Sequence, residues 1–106
     1  MVPKIKNLFA DVPVCGSGEA IANLFENNAV TIERIVSHSH SSPEGFWYDQ
    51  ANDEWVILLS GSASLEFADG KFVDLSPGDY LTIPAHVKHR IAQTSAQAIW
   101  LAVHLK

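Results

Sequence analysis

Ile35-Val36-Ser37-His38-Ser39-His40 closes a β-branched run that begins at Val30, and its reading decides the fold. Side chains alternate between the two faces of a strand, so residues two apart point the same way. On that rule Val30, Ile32, Arg34, Val36, His38 and His40 share one face, and Thr31, Glu33, Ile35, Ser37 and Ser39 share the other. Two neutral imidazoles side by side are the beginning of a metal site. A second histidine cluster, Pro84-Ala85-His86-Val87-Lys88-His89, lies far along the chain, and it matters only if the fold returns it to the first.

The turns around this strand come at short intervals, which is the pattern of an antiparallel sandwich or barrel. Upstream, residues 1–18 contain Pro3, Pro13, Gly16 and Gly18 and read as an irregular amino-terminal arm anchored by Leu8-Phe9. Glu19 to Asn27 fits either a helical stripe of Ile21, Leu24 and Phe25 or a strand turning at Asn27-Asn28, and the strand is the expectation. Downstream, Pro43 and Gly45 end the histidine strand, because proline removes a ladder donor. Glu54 to Ser60 is a strongly apolar strand stopped by Gly61. Ala63 to Phe67, Lys71 to Leu75, Tyr80 to Ile83, Lys88 to Gln93 and Ala98 to Leu105 follow as further strands. The cavity expected between them is lined by Val36, Val56, Leu58, Tyr80, Thr82 and Trp100.

A chain of 106 residues suits one domain, here 1–106. Its hydrophobic share of 47% and charged share of 18% are those of a globular protein. A formal charge of −5 repels phosphate backbones and anionic lipid surfaces, so neither nucleic acid nor membrane is an expected partner. No apolar run reaches membrane-spanning length and no signal-peptide core follows the amino terminus, so a cytoplasmic location is expected. Cys15 is the single cysteine; it reads as a small packed thiol or, with a base beside it, a nucleophile.

Two segments resemble the paired motifs of the cupin superfamily, in its small single-domain, conserved-barrel "cupin 2" form, over residues 30–93. The histidine pair His38-Ser39-His40 matches the first motif, with Glu54 through Gly61 as its glutamate-to-glycine half. Gly78, Pro84 and His89 match the second. Ile32 stands where the first motif opens on glycine, His86 where the second has another glycine, and Gln93 where it ends on asparagine. The resemblance implies an all-β fold: a single antiparallel cupin β-barrel, also called a double-stranded β-helix or jelly roll. It also implies one divalent transition metal, Fe, Mn, Ni, Cu or Zn, held by His38, His40, Glu54 and His89.

The carboxylate is the open member of that set. Glu44 lies at the motif's usual distance from His40, but in a Pro-Gly loop; Glu54 lies beyond a longer gap, but on a strand that can hold a ligand rigidly. Glu54 is the expected ligand and Glu44 the alternative. The inserted loop, Ser41 to Asp53, becomes a lid or rim. Within it Phe46, Trp47 and Tyr48 cannot all be buried by strand alternation. Trp47 and Tyr48 are pocket candidates, or else the rings close the barrel end or fill an interface, and Gln50 is a weaker ligand candidate. His86 is expected in the turn, and His104 is either a structural histidine or an inward-facing proton donor.

The functional expectation is a metal-dependent enzyme acting on a small oxygen-bearing molecule, dioxygenase-, isomerase- or decarboxylase-like. Its alternatives are a non-catalytic small-molecule or metal-binding module and a barrel whose histidines are purely structural. Exposed sheet edges in so small a barrel lead to the expectation of a homodimer.

Overall fold

The computed structural model describes residues 1–14 and 18–106; Cys15 lies outside the described residues. Eight strands are present: β1 (Gly18–Glu26), β2 (Val30–His38), β3 (Glu54–Ser60), β4 (Ala63–Phe67), β5 (Phe72–Leu75), β6 (Tyr80–Ile83), β7 (His89–Thr94) and β8 (Ala98–Leu105). All pairings are antiparallel. They form a five-stranded sheet ordered β1-β2-β8-β3-β6 and a three-stranded sheet ordered β5-β4-β7. No helix occurs among the described residues, so the chain is an all-β jelly roll.

The core lies between the sheets. Val56, Leu58 and Trp100 from the larger sheet meet Leu65, Leu75 and Ile91 from the smaller one. β3 shows why the sequence folds this way: Glu54, Val56 and Leu58 are buried while Trp55 and Ile57 are only partly covered, which is the period of a strand with one face on a core. Tyr80 and Thr82, expected in the cavity, are exposed on β6, and their strand instead turns Ile83 inward.

The amino-terminal arm lies on the outer face of β2. Arg34 Nη1 donates to the carbonyls of Leu8 (3.0 Å) and Ala10 (2.9 Å), and the His38 ring donates from Nε2 to the carbonyl of Pro13 (2.9 Å). Val36, on the same parity, is fully buried in this layer. The expected facing of β2 is accordingly reversed: Glu33, Ile35 and Ser37 point inward, and Arg34, Val36 and His38 point toward the arm. The strand also ends at His38, and Ser39 takes a left-handed φ of 44°, so His38 and His40 do not share a pleat.

The loop 41–53 is fastened to β7 at both ends. Ser42 exchanges hydrogen bonds with Ile91 through its backbone amide (2.9 Å) and its hydroxyl (3.0 Å), and Arg90 Nη2 donates to the Ser42 carbonyl. Tyr48 and His89 exchange two backbone bonds of 2.7 and 3.1 Å. Trp47 lies under the Arg90 guanidinium, 5.9 Å from ring centre to Cζ.

Gly61 ends β3 with φ +85°, and a Cβ there would sit 2.2 Å from the carbonyl oxygen of Gln97. Both the backbone angle and the close approach demand glycine. Gly61→Ala is expected to destabilise the fold by about 3 kcal/mol, read as a lowered urea midpoint at unchanged slope.

Candidate active site

Between the sheets is a cavity of about 180 Å³. Its apolar walls are Ile35, Val56, Leu65, Ile83, Ile91 and Trp100, and its polar groups come from β1, β2, β3, β7, β8 and the 41–53 loop. The pleat supplies most of these placements. Glu54 and Val56 alternate inward on β3, as do His89 and Ile91 on β7 and Glu33 and Ile35 on β2.

The polar groups form a row across neighbouring strands. Glu54 on β3 is directly opposite His104 on β8. Glu33, on the other neighbour of β8, is the diagonal partner of His104 and accepts a hydrogen bond of 2.8 Å from its Nε2. The Glu54 carboxylate stands between two rings, 3.9 Å from His104 Nε2 and 3.8 Å from His89 Nε2. Those distances are too long for hydrogen bonds.

The His89 ring is oriented from behind: Nδ1 donates to the carbonyl of Val87 at 2.9 Å, and a carbonyl can only accept. The neutral ring consequently presents the lone pair of Nε2 to the cavity. Tyr48 stacks on this ring at 5.4 Å with 25° between planes, a consequence of the Tyr48–His89 backbone bridge.

A second group is centred on Glu19. Its carboxylate accepts from Tyr48 Oη (3.2 Å) and from Ser37 Oγ (3.4 Å), and Ser37 Oγ accepts in turn from Trp100 Nε1 (3.2 Å). His40 Nε2 lies 3.7 Å from the same carboxylate. Burial, reinforced by the neighbouring Glu19 charge, pushes the Tyr48 hydroxyl up to about 12. It stays protonated as a donor through the neutral range.

Glu54 is held above the usual carboxylate range, first by burial. His104 and His89 oppose that shift, while Glu33 and Glu19 add to it. A carboxyl in this setting can give and take a proton closer to neutrality than an exposed one.

The structure brings Glu54, His89, His104, Tyr48 and Gln50 to one cavity. His40 stands at its Glu19 side. His38 faces the arm with Nε2 committed to Pro13, and Glu44 is exposed in the loop. His86 sits in the turn with φ 62°, paired with Asp49 at 2.9 Å. Among the described residues no group of three or more His, Cys, Asp or Glu is placed to hold a metal ion with the side chains as arranged.

Glu19 and Glu33 are the polar cavity residues that sequence reasoning missed. The signal for Glu33 was available, since it shares parity with Ile35 on the strand read first. Glu19 could be placed only by the β1–β2 register, in which it faces Ser37.

Comparison with known proteins bears on this geometry. A family model described as a cupin domain matches residues 29–104. A crystal structure from Ralstonia eutropha JMP134, named "putative mannose-6-phosphate isomerase", is similar at 48% identity over 98% of this chain and 99% of that one, with a TM-score of 0.92. A cupin superfamily protein from Desulfitobacterium hafniense DCB-2 is 23% identical over 97% of this chain and 98% of its own, with a TM-score of 0.74. An RmlC-like cupin with a double-stranded β-helix fold from Methanocaldococcus jannaschii is 18% identical over 99% and 92%, also at 0.74. No curated protein matches the chain.

The raised Glu54 carboxyl makes stability depend on pH with a definite sign. It binds its proton more tightly folded than unfolded, so its contribution is fully present below the ordinary carboxylate pKa and is lost as pH rises through the raised value. Urea unfolding is expected to show Glu54→Gln gaining stability over the parent chain as pH rises above the ordinary carboxylate range. Parallel pH curves would remove the assignment.

Proposed function

The chain belongs to the cupin-domain family, and from that premise we propose that it is an isomerase-like enzyme moving a proton between neighbouring carbons of a small hydroxycarbonyl compound. The observation that carries this reading is the unbonded Glu54 carboxylate facing His89 Nε2 across 3.8 Å inside an apolar cavity. Two groups that can each hold or release a proton, side by side in one cavity, are what a proton shift adjacent to a carbonyl requires. The name of the Ralstonia protein, that of an isomerase, supports the same class.

In this proposal His89 Nε2 takes the proton from the carbon next to the carbonyl. Glu54, whose proton affinity burial raises, enters this step as the carboxylic acid and gives its proton to the carbonyl oxygen, and an enediol forms. His89 then returns its proton to the adjacent carbon, and the other hydroxyl gives its own back to Glu54, so the protons balance. His104, tied to Glu33, positions Glu54 from the opposite side. Tyr48 and the Val87 carbonyl fix the His89 ring. The apolar walls exclude water that would compete for the proton.

A second reading, binding without turnover, is favoured by the walls of the cavity: outside the clusters around Glu54 and Glu19 they are almost wholly apolar. Incorporation of solvent deuterium next to the carbonyl of dihydroxyacetone or mannose separates the two. His89→Gln and Glu54→Gln are each expected to lower the exchange rate by about a hundredfold or more while thermal melting stays cooperative. Exchange undiminished in both variants would overturn the proton-transfer reading.

The functional unit in this proposal is a homodimer. β1 is a sheet edge carrying Leu24 and Phe25 exposed, and Val2 and Ile5 on the arm are bare, Ile5 at 93% exposure. An uncovered apolar edge associates with another chain or aggregates. Light scattering is expected to give twice the chain mass, and a monodisperse monomer would contradict it.

A further inference from the structure

We propose that the cavity selects an uncharged, unphosphorylated polyhydroxylated carbonyl compound and rejects the phosphate ester of the same compound. This rests on the proton-transfer reading and names its substrate class.

The lining holds three acidic side chains, Glu19, Glu33 and Glu54, and no lysine or arginine. The nearby cations are engaged elsewhere. Arg34 points outward to the arm, Arg90 points outward to Glu66 at 3.0 Å, and Lys106 is paired with Glu26 at 2.6 Å. His86, at the turn beside the loop, is paired with Asp49. With no helix among the described residues, no helix amino terminus is available to receive an anion there. A phosphate entering this cavity would lose its water, meet no lysine or arginine and face the carboxylates of Glu19 and Glu33.

The positive half comes from two buried polar side chains without hydrogen-bond partners toward the cavity. Glu54 is 8% exposed and His89 is 5% exposed. The Glu54 carboxylate makes no hydrogen bond among the described residues, and His89 uses Nδ1 alone. Both line the cavity, so the open positions on the Glu54 carboxyl and on His89 Nε2 are available to a ligand there. Hydroxyl groups on a ligand satisfy both without adding charge. Trp100 and the aliphatic walls take the ligand's C–H faces.

The test is calorimetric titration of the full chain, after chelator treatment, with matched pairs: mannose against mannose 6-phosphate, and dihydroxyacetone against dihydroxyacetone phosphate. The parent sugar is expected to bind at least tenfold more tightly than its ester in each pair. Glu19→Gln and Glu33→Gln, checked by thermal melting, are each expected to narrow that ratio. Equal or tighter binding of the esters overturns the proposal, and so does binding of neither member of a pair. Mannosamine binding tenfold more tightly than mannose would show that the cavity wants a cation and would also overturn it. Binding of the parent sugar without deuterium exchange instead supports this selectivity and refutes the proton-transfer reading, so the two fail separately.

Discussion

A carboxylate carried into an apolar cavity without a hydrogen bond of its own is the constraint on which the rest of the site depends. Glu54 opens a strand whose next inward residues, Val56 and Leu58, belong to the core. Removing its water costs several kcal/mol unless the group is neutralised or answered by a nearby charge. The fold answers with two rings at just under 4 Å instead of one close ion pair. The carboxyl is left with a high proton affinity and with lone pairs still open. A tight salt bridge would have stabilised Glu54 better and left it nothing to do.

Much of the fold was legible because the pleat has a period of two and the turns are punctuated. Glu54–Ser60, Ala63–Phe67, Tyr80–Ile83 and Ala98–Leu105 occupy the segments that their apolar runs and flanking glycine or proline residues mark out. The ambiguous segment before Asn27 is the edge strand β1, where helix and strand patterns of Ile21, Leu24 and Phe25 look alike because that edge buries little. The family resemblance read over residues 30–93 agrees with the domain match over 29–104.

The site was less legible, and the reason is local. Alternation would carry His38 and His40 to one face only in a continuous strand, but the strand ends at His38 and Ser39 adopts a left-handed backbone. The arm then covers the face of β2 that looked core-bound, so that an apolar Val36 is buried on the outside of the sheet. A sequence pattern records that a side chain is buried but not by which layer. For His104 the sequence leaves a structural and an inward-facing role open; its place between two carboxylates follows from the β2–β8–β3 order.

The fastening of the 41–53 loop sets where the chain can vary. Ser42 is tied to Ile91, Tyr48 to His89, and the Gln50 carbonyl to the His86 amide at 2.8 Å. Between the first two ties Glu44, Gly45 and Phe46 are exposed, and a Cβ at Gly45 would meet open space. Lengthening this stretch costs little because loop closure entropy grows slowly with length. Inserting a residue between Tyr48 and Gln50 would instead shift the backbone that holds the His89 ring. Sequence drift and engineered insertions alike can therefore reshape the rim of the cavity at 43–46 without moving the groups inside it.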